Sequence, residues 1–266
     1  MEENVKYGFF DQIPIAFFHP SEYKKILPLK KICLIGFILL IPALIVVLEY
    51  IIPFGAWDVS VGGLENLVTN GIPAFSLDHG VMNMESPMDI VLSNAIHVKV
   101  DTDEETYSEE DLDDQYVEEF LISKNNMIFN HSGMTYEVVF SELNYTINNQ
   151  GLAELLPMIK ISIGITFFLM YLLKIGGYLV SALFFALLCR SGVHDGAGRR
   201  VTLGIAFVFA VYARALFALL ASVNVCLGYL ISDTLVLVVG AFFTIRYIFS
   251  AEREYLGVEK KKGMGL

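Results

Sequence analysis

Two basic side chains lie where a charge is hardest to accommodate, in the middle of long apolar stretches of the sequence. Lys174 falls near the middle of the stretch Leu155–Cys189, and Arg214 falls near the middle of Val201–Leu220. Placing an ionisable side chain in the hydrocarbon of a membrane costs roughly 2.5–3.5 kcal/mol on insertion scales, and such a residue by default indicates a functional contact. These two residues are therefore the first candidates for a site.

The residues around these two cations offer hydrogen bonds but no opposite charge. Between Glu154 and Asp233 the sole acidic residue is Asp195, which lies in a basic loop. The polar side chains expected nearby are Tyr171, Tyr178, Tyr212 and Asn224. We predict that both cations are met by an anion from outside the chain, either an acidic residue in another subunit's span or an anionic lipid headgroup. The alternative is that both side chains extend toward the membrane surface.

No pattern typical of a catalytic or metal site is present. The five histidines are scattered, and the sequence contains no HExxH, G-x-S-x-G or phosphate-binding loop. The pair His194-Asp195 has the residue types for acid–base chemistry, but a lone pair is weak evidence. The three cysteines, Cys33, Cys189 and Cys226, are dispersed and predict no disulfide framework. We expect a non-enzymatic protein with no catalytic residue, no cofactor and no metal.

The strongest local bias is the acidic stretch Asp101–Glu119. Hard cations such as calcium prefer several oxygen ligands. However, an EF-hand loop beginning at Asp101 would have Thr106 where glycine belongs and Leu112 where glutamate belongs. The favoured interpretation is a solvated, self-repelling loop, and calcium binding is the alternative.

Composition separates the chain into regions of different character. It has 266 residues, 55% of them hydrophobic, and a formal net charge of −11. Soluble domains are about 45–50% apolar. The range 58–154 holds 19 acidic and 2 basic residues. These values exclude a single soluble globule, a disordered chain and a nucleic-acid binder built on a basic face.

The apolar stretches are long enough for four membrane-spanning helices, since about 20 apolar residues cross a 30 Å hydrocarbon core. The predicted spans are residues 32–52, 155–189, 201–221 and 225–249. The second span, with 35 residues, is longer than one crossing needs and shorter than two crossings need. We expect one long tilted helix from about Met158 to Leu188, whereas a break at Lys174-Ile175-Gly176-Gly177 would give five spans.

Lysine and arginine in the flanks predict the orientation of these spans. Basic residues cluster in the N-terminal segment 1–31, the loop 190–200 and the tail 250–266. The range 53–154 contains two basic residues, and the short outer loop 222–232 contains none. Four spans place every basic segment on one side, whereas five would not. We therefore predict a plasma-membrane protein with both termini in the cytoplasm and residues 53–154 outside the cell.

The range 53–154 carries short alternating stretches typical of β-strands. Those assigned as strands are Ile72–Leu77, Asp89–Leu92, Ala95–Val100, Val117–Ser123, Met127–Asn130 and Thr135–Phe140. Lys124-Asn125-Asn126 predicts a hairpin turn, because asparagine tolerates left-handed backbone, and His131–Gly133 predicts a second. We expect an antiparallel domain of roughly five to seven strands.

The segment before the first span is rich in aromatic residues and predicts a short helix ahead of Pro20. That helix either lies on the cytoplasmic membrane surface or packs on the helix bundle. The expected fold is thus an α-helical polytopic membrane protein with four transmembrane helices and an inserted antiparallel β-rich extracytoplasmic domain.

Four short stretches carry a resemblance to known proteins. They are Phe17–Tyr23, the opening Asp101-Thr102-Asp103, the hairpin Phe120–Phe129, and Val211-Tyr212-Ala213-Arg214. Together they resemble an uncharacterised bacterial membrane family whose members are called maltodextrin utilisation proteins, and the last is also similar to Yip-type multi-span proteins. That family often has glycine where Glu119 stands. The resemblance implies a link to sugar uptake and carries over no catalytic residue.

Two functions are compatible with these features. The first is a non-enzymatic accessory or scaffold subunit of a cell-envelope membrane complex, with a sugar ABC transporter as the candidate partner. The second is a transporter or lipid-handling protein with an intramembrane anion site at Lys174 and Arg214. The expected partners are the lipid bilayer and either another membrane subunit or an anionic lipid, and no nucleic acid.

Overall fold

The computed structural model describes residues 8–93, 96–113, 115–116, 118–131, 134–143 and 145–258. The helices are α1 (Gln12–Phe18), α2 (Tyr23–Ile26), α3 (Lys31–Val46), α4 (Ile52–Ser60), α5 (Leu64–Asn66), α6 (Asn149–Cys189), α7 (Leu203–Cys226) and α8 (Asp233–Leu256). The strands are β1 (Phe75–Asp78), β2 (Val81–Met84), β3 (Met88–Ser93), β4 (Ile96–Val100), β5 (Glu118–Ile122), β6 (Asn126–His131), β7 (Met134–Val139) and β8 (Ile147–Asn148). The chain divides into a helical unit, residues 1–53 and 165–266, and a β unit, residues 54–164.

Within the described residues, four helical stretches are long and apolar enough to cross a membrane. They are Lys31–Ser60, Asn149–Cys189, Leu203–Cys226 and Asp233–Leu256. A helix of 24 residues is about 36 Å long, which exceeds the roughly 30 Å hydrocarbon core. The prediction of four long apolar helices is confirmed, and it is consistent with a multi-pass membrane protein. The second apolar stretch lies in one unbroken helix, α6, that continues through Gly176-Gly177.

The first apolar helix continues past residue 52, the end expected from the sequence. A π-helical turn over Val47–Ile51 joins α3 to α4, so helical backbone runs from Lys31 to Ser60. Pro53 has no N–H, and in a regular α-helix its ring would clash with the carbonyl of Glu49 four residues earlier. The wider π turn at this position lets the helix pass Pro53. Glu49 therefore lies inside a continuous helix.

The N-terminal segment packs on the helical unit. Ala16 and Tyr23 are fully buried, and the Tyr23 hydroxyl donates a hydrogen bond to the Ala16 carbonyl at 2.7 Å. The Phe9 ring lies so close to Gly36 that a Cβ atom there would be 2.8 Å from it. Phe18, by contrast, is exposed. Of the two placements open from the sequence, the described part of this segment has the packed one.

The β unit contains two sheets. Strands β2, β1 and β8 form one sheet in that order, and β3, β4, β5, β6 and β7 form the other. The predicted hairpin is confirmed, because β5 and β6 are antiparallel with Phe120 opposite Phe129, and the Ser123 amide donates to the Asn126 carbonyl at 2.9 Å. Residues 132 and 133 of the second predicted turn lie outside the described residues. The short strands β2 and β8 were not predicted.

One strand pair differs from the antiparallel prediction. Strands β4 and β5 are parallel, with His97 opposite Glu119. Parallel neighbours need a crossover of about a dozen residues or more, and the acidic segment between Val100 and Glu118 is that crossover. We call residues 101–117 the acidic crossover.

The core of the β unit lies on both faces of the five-stranded sheet. Leu77, Met82, Val100 and Phe140 are buried together, with β1 and β2 contributing to this cluster. Tyr107, Leu121 and Ile128 form a second buried cluster under the acidic crossover. The crossover thus covers apolar surface of the sheet through Tyr107 and Leu112.

Candidate functional site

Lys174 is paired within the chain. Its ammonium group forms an ion pair with Glu49 Oε2 and lies 5.5 Å from the centroid of the Tyr50 ring. The Ser222 hydroxyl lies 2.7 Å from Glu49 Oε1, to which it donates. The expectation that Lys174 lacks a carboxylate at matching depth is therefore wrong, because the extended first helix brings Glu49 to its level. We call Glu49, Lys174 and Ser222 the Glu49–Lys174 cluster.

This cluster ties three helical segments together. Glu49 comes from the π turn after α3, Lys174 from α6 and Ser222 from α7. Only 14% of the Glu49 side chain and 32% of the Lys174 side chain are exposed. An ion pair shielded from water is weakly screened, and removal of one partner leaves the other uncompensated. The cluster therefore has a structural role, which is to stabilise the packing of these three helical segments.

Arg214 differs from Lys174 in having no such partner. Among the described residues it forms no ion pair, and its buried Nε atom has no hydrogen-bond partner. Its guanidinium carbon lies 5.3 Å from the centroid of the Phe185 ring. Such a cation–π contact returns about 0.5–2 kcal/mol, against the roughly 2.5–3.5 kcal/mol cost of the charge in a span. The contact with Phe185 therefore offsets only part of this cost, and an anion bound to Arg214 would stabilise the protein further.

The tyrosines predicted for the site mainly join helices. The Tyr178 hydroxyl donates to the Val211 carbonyl, three residues before Arg214 on α7. The Tyr212 hydroxyl donates to Gln12 Oε1 at 2.6 Å, which attaches α7 to α1. The Tyr171 hydroxyl donates to the carbonyl of Leu39 at 3.2 Å. Of the three, only Tyr178 lies at a predicted cation.

Asn224 lies in the last turn of helix α7. Its side-chain amide donates to the Ile231 carbonyl at 2.8 Å, and its side-chain oxygen accepts from the Ile231 amide at 2.9 Å. These two bonds close the connection between α7 and α8. The structure therefore does not group Asn224 with Lys174 or Arg214 as a shared site.

Glu252, a buried acid in α8, was not among the site residues predicted from the sequence. Glu252 is fully buried, and neither carboxylate oxygen has a hydrogen-bond partner among the described residues. Thr244, Ile248 and Glu252 are spaced by four and are all fully buried. That spacing marks one helix face, so the signal was present, but the predicted span ended at residue 249.

The pair His194-Asp195 is not arranged for shared chemistry. Arg200 Nε donates to His194 Nε2 at 2.7 Å, whereas Asp195 accepts from the Arg199 amide at 2.7 Å and from Arg199 Nε at 2.6 Å. Each residue is thus bound to a different arginine. Their contacts stabilise the loop between α6 and α7.

A histidine bridge in the β unit was not anticipated from the sequence. His97 Nδ1 lies 2.7 Å from Glu119 Oε1, and His97 Nε2 lies 2.9 Å from Asp89 Oδ1. The Tyr116 ring packs on the imidazole with 4.6 Å between centroids, and Glu119 Oε2 accepts from the Asp113 amide at 2.6 Å. The bridge joins β3, β4, β5 and the acidic crossover.

Burial alone would lower the pKa of His97, but its bonds to Glu119 and Asp89 outweigh this effect and hold the pKa above its ordinary value. The protonated imidazole donates through both ring nitrogens, so one cation is shared between two carboxylates. The parallel register of β4 and β5 places His97 and Glu119 opposite each other. Sequence patterns do not specify that register.

The acidic crossover is held by its own local contacts. Asn126 is buried; its side chain accepts from the Tyr107 amide at 2.9 Å and donates to the Tyr107 carbonyl at 2.8 Å. Lys124 Nζ lies 2.6 Å from Glu105 Oε1 and lowers the pKa of Glu105. Asp111 accepts from the Ser108 amide at 2.7 Å. Across the described ranges, no group of three or more histidine, cysteine or acidic side chains is placed to hold a metal ion.

Comparison with known proteins gives a family for the chain. A family model described as "Protein of unknown function (DUF1189)" matches residues 10–251, which include most of both units. A search of curated proteins and a search of solved structures each give no match. Because the match extends from the N-terminal segment into α8, the chain belongs to the DUF1189 family, an uncharacterised family.

Proposed function

We propose that this protein is a non-enzymatic integral membrane protein that serves as an accessory or scaffold subunit of a cell-envelope membrane complex. The observation that carries the proposal is the Glu49–Lys174 cluster. The charge of Lys174, which the sequence suggested was available to a substrate, instead pairs with Glu49, and this cluster connects three helical segments. A helical unit held together in this way suits the support of another assembly better than a substrate path.

We further propose the plasma membrane as the location, with both termini in the cytoplasm and residues 53–154 outside the cell. The support is the concentration of lysine and arginine in the segments 1–31, 190–200 and 250–266. Protease added to intact cells should cut the acidic crossover, and a reporter fused to the C-terminus should stay protected. The opposite pattern would contradict this topology.

The resemblance to maltodextrin utilisation proteins and Yip-type proteins extends the proposal to a process. Sugar uptake is the process we propose, with a sugar ABC transporter as the complex that the protein supports. The acidic outer region gives such a subunit an exposed, charged surface, with Glu104, Glu109 and Glu110 all accessible.

The test compares native membrane complexes from cells with and without the chain. If the protein is an accessory subunit, one complex should shrink or disappear in its absence and return when the full chain is supplied. A Glu254→Gln variant is a suitable control, because it alters an exposed ion pair with Lys24. Unchanged complexes, with the chain migrating alone, would contradict the proposal.

Transport or lipid handling is the second candidate function. The pairing of Lys174 with Glu49 removes one of its two proposed anion contacts, whereas the unpartnered Nε of Arg214 still favours it. Solute movement by the purified chain in liposomes would support this candidate over the accessory role.

A further inference from the structure

The two cations of the long apolar helices form a natural comparison. Lys174 has an ion-pair partner from its own chain. Arg214 has an aromatic ring on one side and, among the described residues, no anion. Among the residues that the structure describes, one charge is thus compensated by the chain and the other is not.

The groups beside Arg214 are already engaged. The Tyr178 hydroxyl has one proton, which it gives to the Val211 carbonyl. The Phe185 ring contributes only its face. Arg214 itself is half-buried, so part of the side chain is accessible although Nε is not. A guanidinium presents five N–H donors in a planar fork, whose geometry matches carboxylate and phosphate groups.

The direction of the side chain indicates where the anion comes from. Side chains of an α-helix lean toward its N-terminus, and the N-terminal end of α7 follows the loop 190–200. Phe185 lies four residues, about 6 Å, before the end of α6 at Cys189. The guanidinium therefore points toward the end of the helices that would meet the headgroup layer. A lipid phosphate is available at that depth without any partner helix.

The adjoining loop strengthens this assignment. It carries Arg190, Arg199 and Arg200, all exposed, and basic residues next to a span attract anionic lipids. Diffuse attraction of this kind would raise the local concentration of anionic lipid, and the fork of Arg214 would then bind one phosphate.

We propose that Arg214 binds the phosphate of an anionic phospholipid from the leaflet next to loop 190–200, at a site between α6 and α7. The lipid is a bound structural ligand in this proposal. Lys174 takes no part in the site, because its ammonium group is already paired with Glu49. The inference does not depend on the accessory role, since binding is measured on the purified chain with no partner protein present.

The test uses the full chain, delipidated in dodecyl maltoside. Thermal unfolding is followed after addition of phosphatidylcholine, phosphatidylglycerol or inorganic phosphate, and retained lipid is counted by native mass spectrometry. A ligand that binds the folded state raises the melting temperature by mass action. The wild type should be stabilised by phosphatidylglycerol well beyond phosphatidylcholine and should retain at least one anionic lipid.

Arg214→Leu should lose this selective stabilisation and retain about tenfold less phosphatidylglycerol. It should still fold, because it removes an unpartnered charge. Arg190→Gln is the matched control, since it removes a loop charge and leaves the site; its selective response should persist. If Arg214→Leu is not monodisperse, Arg214→Lys provides the comparison, because it keeps a charge but loses the fork and should retain several-fold less lipid.

Three results would overturn the proposal. The first is equal retention of phosphatidylglycerol by wild type and the Arg214 variant. The second is loss of retention in Arg190→Gln alone, which would mean diffuse attraction by the loop. The third is stabilisation by inorganic phosphate as large as that by phosphatidylglycerol, which would mean a site for soluble phosphate.

Discussion

Neutralising Glu49 should destabilise the helical unit by leaving Lys174 uncompensated. Glu49→Gln keeps the size of the side chain and an oxygen that accepts from Ser222. What it removes is the negative charge beside an ammonium group whose side chain is 32% exposed. The Tyr50 contact is present in both proteins, so it cancels in the comparison.

The magnitude follows from the cost of a lone cation in a span. That cost is roughly 2.5–3.5 kcal/mol at the centre of the span. A hydrogen bond from the Lys174 ammonium group to the new amide oxygen returns about 1.5 kcal/mol. We therefore expect Glu49→Gln to lower the free energy of unfolding by about 2 kcal/mol.

The double variant Glu49→Gln, Lys174→Met separates charge compensation from packing. Replacing both members of a shielded ion pair is often neutral or stabilising, whereas removing one is destabilising. The double variant should therefore be within about 1 kcal/mol of wild type, with a coupling energy of at least about 2 kcal/mol, since Lys174→Met alone also leaves a charge unpaired.

The assay is unfolding by sodium dodecyl sulfate in mixed micelles, followed by the helical circular dichroism signal. Glu254→Gln, which breaks an exposed pair, should change stability by less than about 1 kcal/mol. The reasoning is refuted if Glu49→Gln equals wild type, or if the double variant is as unstable as the sum of the two single variants.

Three further changes test the β unit by hydrogen exchange on the full chain. The pKa of His97 is raised in the folded protein, so the stabilisation by its two ion pairs should be complete below about pH 6.5 and lost as the pH rises through the folded pKa. His97→Gln should make the stability of the unit less dependent on pH in this range, whereas the control His194→Gln should not. A pH dependence unchanged by His97→Gln would contradict this reasoning. Asn126→Ala removes two bonds to the crossover backbone and should cost about 2–4 kcal/mol, read as faster exchange in the crossover. Gly80 has φ +80° and no room for a Cβ, so Gly80→Ala should destabilise the unit by about 1–3 kcal/mol, whereas Gly164→Ala, with open space around it, should not.

The long helices were predictable because an apolar stretch of sufficient length needs no partner to be recognised. The partner of Lys174 was not, because the depth of Glu49 depends on where its helix ends. Proline and glycine after Tyr50 indicate an end, yet the π turn carries the helix past Pro53. The pairing of Glu49 with Lys174 thus depends on a local feature of the backbone, the π turn over Val47–Ile51, that the sequence pattern did not predict.

The β unit shows the same limit in another form. Alternation located most strands and the turn at Lys124–Asn126, since both are local properties. It did not give the parallel register that brings His97 to Glu119, because strand orientation depends on how the connecting segment crosses the sheet. The acidic crossover was expected to be a solvated loop, but it is anchored to the sheet through the two bonds between Tyr107 and Asn126 and through the Glu105–Lys124 ion pair.

The two units differ in how far their charged side chains are paired within the chain. In the β unit one imidazole, that of His97, is hydrogen-bonded to two carboxylates of the same unit. In the helical unit Lys174 is compensated, but Arg214 on one helix and Glu252 on the next remain without partners among the described residues. Unsatisfied buried charge persists in a folded protein only where another interaction offsets its cost. For Arg214 we propose that a lipid phosphate is that interaction, and the lipid experiment tests it directly on the purified chain.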